Sequence, residues 1–144
     1  MADQFNLQRF VDAQAGSYPA ALSELRAGSK RSHWMWFIFP QAAGLGHSPM
    51  AQHYAIGSRA EALAYLEHPV LGTRLRECTA AALSVKAGKA ACEIFGSPDD
   101  MKFRSSMTLF DTIGTDPVFS DALERFYGGQ RDNVSLEILS RWQR

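Results

Sequence analysis

The stretch 69-PVLGTRLRECTAAALSV-85 decides the fold class. Within it Leu71, Leu75, Cys78, Ala82 and Val85 recur at alternating steps of four and three residues, the spacing of one face of an α-helix. Arg74 and Glu77 flank that stripe, and the alanines from Ala80 to Ala82 favour helix and allow a neighbour to approach closely. Pro69 suits a first helical position and Gly88 marks an end.

Outward from there the same period continues. Ser58 with Glu61 three residues on is a capping box, and it opens a helix that turns Leu63 and Leu66 inward. Asn6 to Gln14 reads as a short helix with Leu7, Phe10 and Val11 on one face. Pro19 starts another that runs to about Ala27, with Tyr18, Leu22 and Leu25 as its stripe and Gly28 after its end. Downstream, Lys89 to Phe95 is expected to form one short turn. Ser97-Pro98-Asp99-Asp100 reads as a helix start, with Ser97 as the capping hydroxyl and acids on the positive end of the macrodipole. The segment after it, 101-MKFRSSMTLFDTIG-114, is mixed in polarity. Asp116-Pro117 starts a helix with Phe119, Leu123 and Phe126 inward, and Gly128-Gly129 stops it. Asp132 or Asn133 caps the last helix, where Val134, Ile138 and Trp142 line up at four-residue steps. No pair of alternating runs joined by Asn-Gly or Asp-Gly is present. The expectation is an all-α, single compact domain over residues 1–144, with about six to eight helices. A long Gly/Pro-containing loop over 41–57 follows an aromatic segment, broken by a helical turn around Met50–Tyr54.

Composition agrees with a packed domain and excludes several partners. Apolar residues make up 46% and charged residues 21%, ordinary values for a globular protein. Fifteen Lys and Arg balance fifteen Asp and Glu, which argues against broad nucleic-acid or membrane-surface binding. No apolar run approaches the about 18 residues that cross a bilayer, and the N-terminus lacks the pattern of a signal peptide, so a cytoplasmic location is expected. Cys78 and Cys92 fit that as reduced, buried residues. No Cys/His spacing suits a metal, and no cofactor is expected.

The candidate site lies in 32-SHWMWFIFPQAAGLGHS-48. Its apolar knot has hydrogen-bonding groups at both rims, the one-dimensional form of a pocket wall. His33, between a basic segment and the knot, is the candidate acid–base group. Of Trp34 and Trp36, one is expected in the core and the other, taken as Trp36, on a pocket wall. Gln41, the backbone of Gly44 and Gly46, the Ser48 hydroxyl and Tyr54 are placed around a ligand, and the glycine amides with Ser48 suit an anion. Lys102, Ser105 and Ser106 are placed as neighbours from the other half of the chain, and they and Lys30 at the basic rim are taken as ligand-binding. Glu61 is a second catalytic candidate, although its capping position also explains it. No G-x-S-x-G and no H-E-x-x-H is present.

Several stretches together carry a family resemblance: FNLQRFVDAQ at 5–14, K-x-S-HWMWFIFPQ-x-x-G-L-G-x-S at 30–48, EA-x-AYL-x-HPVLG-x-RL at 61–75 and IFGSPDDMKFRSSMTLF at 94–110. From about Phe5 to Asp132 the chain resembles the DUF1810 family of uncharacterised, mostly bacterial proteins. The resemblance implies a compact all-helical fold and no established activity. Some members carry the label calpastatin; an inhibitor of that kind would be disordered and poor in aromatics, unlike this composition. A second similarity, a Trp/Phe-rich segment followed by a glutamate-bearing Tyr-Leu helix, is to the NADAR family. It implies N-glycosidic chemistry on ADP-ribose-type nucleotides, with Trp36 stacked on a base or sugar and Glu61 or His33 assisting cleavage. The expected function is therefore binding of a nucleotide-like or other anionic metabolite. A protein-interaction module using the Trp/Phe segment 33–40 is the alternative.

Overall fold

The structure is a computed structural model and describes residues 3–142. Ten helices follow one another along them: α1 (Gln8–Ala15), α2 (Tyr18–Ala27), α3 (Met35–Ile38), α4 (Pro49–His53), α5 (Arg59–Glu67), α6 (Leu71–Leu83), α7 (Ala91–Phe95), α8 (Asp99–Ile113), α9 (Pro117–Tyr127) and α10 (Asn133–Ser140). No strand forms among the described residues, where Ala42 and Ile56 make an isolated parallel pair. The count exceeds the expected six to eight because α3, α4 and α7 have only four or five residues each. Pieces that short are below what periodicity can separate from loop.

Most boundaries follow from local chemistry. Ser58 Oγ accepts from the Glu61 N–H, Asp116 Oδ1 from Val118 and Asp132 Oδ2 from Ser135, each at the first turn of its helix. Gly28 and Gly128 take the left-handed conformation that ends α2 and α9. Two starts differ from expectation. His68 Nδ1 accepts from the N–H groups of Val70 and Leu71, so an imidazole caps α6, which begins at Leu71 instead of Pro69. Ser97 does not cap α8: Pro98 holds the cap position without a side-chain bond, and the Asp100 N–H donates to the Gly96 carbonyl.

The centre of the molecule is α8, which packs against α3, α5, α7, α9 and α10. Phe103, Ser105 to Phe110 and Ile113 are all buried along it, and Met101 is exposed. Its sequence looks mixed because neighbours cover several faces, so small hydroxyls lie inside and bond back to their own helix: Ser105 to the Met101 carbonyl and Thr108 to that of Arg104. Aromatic rings join the layers. Phe39 lies edge-on to Phe103 at 4.9 Å, Phe103 stacks on Phe95 at 4.5 Å, and Tyr65 and Phe110 are 5.4 Å apart. Each such pair contributes about 0.5–1.5 kcal/mol beyond the area it buries. Buried Gln14 donates to the Phe37 carbonyl at 2.7 Å and links α1 to α3.

Two further expectations are corrected. Val134 is exposed; α10 turns Ser135 and Leu139 inward, with Ile138 and Trp142 half-buried, because the buried face runs one residue further round the helix. Cys78 is buried in α6, but Cys92 is exposed on α7, and both are free thiols.

Candidate functional site

Trp34 enters the core completely, and its indole N–H donates to Glu24 Oε1 at 2.9 Å. The same carboxylate accepts from the N–H groups of Arg31 and Ser32 and, through Oε2, from the Ser32 hydroxyl. Burial pushes the Glu24 carboxyl up, but the bonds from Ser32, Arg31 and Trp34 outweigh it and hold the group down at about 2. Met35, Phe37, Ile38 and Phe39 follow Trp34 into the core, and Trp36 remains half-buried. The two indoles part because residues two apart on a helical turn point to nearly opposite sides.

Between the two rings runs an array of charges. Lys30 Nζ lies 2.9 Å from Asp99 Oδ2 and 5.1 Å from the Trp34 ring centre. Lys102 Nζ lies 3.4 Å from Asp99 Oδ1 and 5.1 Å from that of Trp36. The order is Trp34, Lys30, Asp99, Lys102, Trp36, with two ammonium groups sharing one carboxylate. The Lys30 side chain is 8% exposed and that of Lys102 26%, so the first is locked and the second lies nearer the surface. Three of the expected ligand residues, Lys30, Trp36 and Lys102, thus come together. His33 is exposed, and its ring makes no hydrogen bond among the described residues. Ser105 and Ser106 are buried, the first bonded to Met101 and the second without a partner among the described residues.

The other expected residues form a second cluster. The Ile56 N–H donates to the Gln41 carbonyl, and the Ala43 N–H to that of Ile56, so the ends of the loop are closed on each other. Inside it, the Ser48 hydroxyl accepts from the Ala51 N–H and caps α4. A Cβ on Gly46 would fall 2.5 Å from that of Ala51, and Gly44 has φ +104° near Ile138. The Tyr54 ring packs on Phe37 and Phe10 at 5.4 and 5.7 Å. Arg9 ties this cluster down: it donates to the carbonyls of His53 and Ala55 and to Glu61 Oε2 at 2.9 Å. Glu61 Oε1 accepts from the Gly57 N–H. Both Glu61 oxygens are thereby engaged in holding the loop. No hydrogen bond or ion pair joins this cluster to the array among the described residues.

Sequence reasoning missed Glu24, Arg9 and the pairing role of Asp99. Asp99 had a sufficient local explanation at a helix start. Arg9 and Glu61 are 52 residues apart, a separation with no local signal. Chemically, the array offers a half-buried indole face covered by one partly exposed ammonium. Among the described residues no group of three or more His, Cys, Asp or Glu is placed to hold a metal ion. No helix among the described residues is long and apolar enough to cross a membrane.

Comparison with known proteins adds the family. The model of the family described as a protein of unknown function, DUF1810, matches residues 4–139. The crystal structure of the conserved hypothetical protein Rv1873 from Mycobacterium tuberculosis is similar over 96% of this chain and 99% of that one, with 50% identity and a TM-score of 0.94. Among curated proteins there is no match.

Proposed function

The chain belongs to the DUF1810 family, and for this member we propose binding of a small anionic, nucleotide-like metabolite at the face formed by Trp36, Lys102 and Lys30. The observation that carries this is the half-buried Trp36 ring beneath the Lys102 ammonium. An exposed cation–π contact is worth about 0.5–1 kcal/mol, whereas stacking of a base on an aromatic side chain is worth about 1–3 kcal/mol. A planar ring that replaces Lys102 on the indole therefore gains, and the displaced ammonium, on a flexible stem, can meet the ligand's anionic group.

Two neighbouring readings have less support. Within 33–40 only His33 and Trp36 reach the surface, since Trp34, Met35 and Phe37 to Pro40 are buried. One indole and one imidazole are far below the about 800 Å² per partner of a standard protein interface. Glycosidic hydrolysis would draw on Glu61 or His33; both Glu61 oxygens are already held by Arg9 and Gly57, and the His33 ring has no hydrogen bond among the described residues to orient it. Binding is the better-supported reading.

A thermal-shift screen of nucleoside phosphates, ADP-ribose derivatives and sugar phosphates tests it. A ligand at about 100 times its Kd adds about 2.7 kcal/mol, which for a chain of this size raises the midpoint by roughly 6–10 °C. The shift is expected to vanish in Trp36→Ala and Lys102→Met. A full shift in both variants, or none with any compound in the wild type, sinks the proposal.

A further inference from the structure

On the other side of α8 a cleft of about 510 Å³ is lined by Arg104, Gln130, Arg131, Asn133 and Leu136. The volume is that of a small-molecule site. The arginines differ in how they are held. Arg131 is committed: its Nε and Nη2 donate to Asp111 Oδ2 at 3.1 and 2.7 Å, and its Nη1 to the Gly129 carbonyl. Arg104 makes no hydrogen bond through its side chain among the described residues. Its Nε is buried without a partner, its guanidinium lies 5.7 Å from the Tyr127 ring centre, and its side chain is only 21% exposed.

The nearest carboxylate, that of Asp132, is a poor partner, and Asp100, one turn earlier on α8, has a buried Oδ1 that is likewise without a hydrogen bond among the described residues. Asp132 Oδ1 is 3.7 Å from Arg104 Nη2, beyond hydrogen-bond reach, while Oδ2 is fixed by the Ser135 N–H and hydroxyl as the cap of α10. The four Nη N–H donors of the Arg104 fork are thus left without a hydrogen bond at the cleft, and the buried Nε behind them lacks a partner, which is costly. Carboxylate and phosphate oxygens match that fork bidentately. The amides of Gln130 and Asn133 supply further donors at the wall, and Leu136 supplies an apolar edge.

We infer that this cleft is a second binding site, which takes a phosphate- or carboxylate-bearing small molecule by its anionic group on Arg104. It stands independently of the Trp36 site, which uses other residues of α8.

The test is titration of the full chain with inorganic phosphate, and separately with acetate, at matched ionic strength, followed by amide NMR. Saturable shifts are expected at residues 128–136 and in the side-chain amides of Gln130 and Asn133. Arg104→Gln should weaken binding at least tenfold, and Arg104→Lys, which keeps the charge but not the fork, should weaken it less. Asn133→Asp is the second variant. Asn133 is exposed at the first position of α10, where an acid suits the helix, so the fold is kept while an anion is repelled. It too should lose at least tenfold, and Trp36→Ala should lose nothing. Non-saturating shifts, or wild-type binding by a folded Arg104→Gln or by Asn133→Asp, would overturn the inference. Saturation by phosphate but not acetate, or the reverse, assigns the anion class within it.

Discussion

Lys102 and Arg104 stand two residues apart on α8, each near an aromatic ring, and their surroundings differ. Lys102 has Trp36 beneath it and shares Asp99 with Lys30; Arg104 has Tyr127 at 5.7 Å and a carboxylate no nearer than 3.7 Å. The difference teaches that a cation's identity and helix do not decide its role. An ammonium is a compact charge that one oxygen at 3.4 Å can serve. A guanidinium needs several oxygens in its plane, and the fold around Arg104 provides none within hydrogen-bond reach. Both α8 cations have a carboxylate within 4 Å, but on the Arg104 side the hydrogen-bonded pair is Arg131 with Asp111, and Arg104 itself donates to no oxygen among the described residues.

The comparison breaks first at Asp99. Asp99→Ala strands Lys30, whose side chain is almost wholly buried, and removal of one partner of a buried pair costs about 3–5 kcal/mol. Urea unfolding should show that loss, whereas Arg104→Gln, which removes no hydrogen bond, should cost under about 1 kcal/mol. Equal losses would mean that Arg104 is as structural as Asp99.

A smaller effect sharpens the paired side through Glu24, which anchors Trp34. Glu24→Gln should cost roughly 1.5 kcal/mol at neutral pH, the low end for hydrogen bonds to a charged group. The folded carboxyl sits at about 2 against an ordinary 4.5. Its stabilising contribution is therefore present above about pH 4.5 and is lost as pH falls from there toward 2. The gap in unfolding free energy between wild type and variant should be flat above pH 5 and close below it. A gap that stays constant down to pH 2 contradicts the hydrogen-bond account.

The smallest effect serves as the baseline. Arg141 and Glu137 form a 2.6 Å pair with both side chains more than two-thirds exposed. Arg141→Ala should change the unfolding midpoint by no more than about 0.5 kcal/mol equivalent, since exposed pairs are worth little.

Much of the helical frame was legible from residues close together in the chain. The caps at Ser58, Asp116 and Asp132 and the stops at Gly28 and Gly128 each involve groups within about one helical turn, so their spacing in sequence is already their spacing in space. Of the expected ligand residues, Lys30, Lys102 and Trp36 are linked through Asp99, whereas Ser105 and Ser106 are buried and Gln41, Gly44, Gly46, Ser48 and Tyr54 belong to a loop held by Arg9 and Glu61. A loop rich in glycine reads alike whether its backbone faces a ligand or closes on itself, and the closing bonds to Ile56 come from a distant residue.

The sequence by itself determined that the chain is helical and where most helices start and stop. Helical period and capping are local, whereas the apolar run 34–39 reads alike as a buried strand or a helical turn, and only the helical turn sends residues two apart to opposite sides. Only the tertiary structure decided that Trp34 goes inward, held by Glu24, that Asp99 is shared by two lysines, and that Arg104 is left open to the cleft. Those outcomes depend on which side chains arrive from elsewhere in the chain, and the balance of burial and pairing that settles them exists only once the helices have packed.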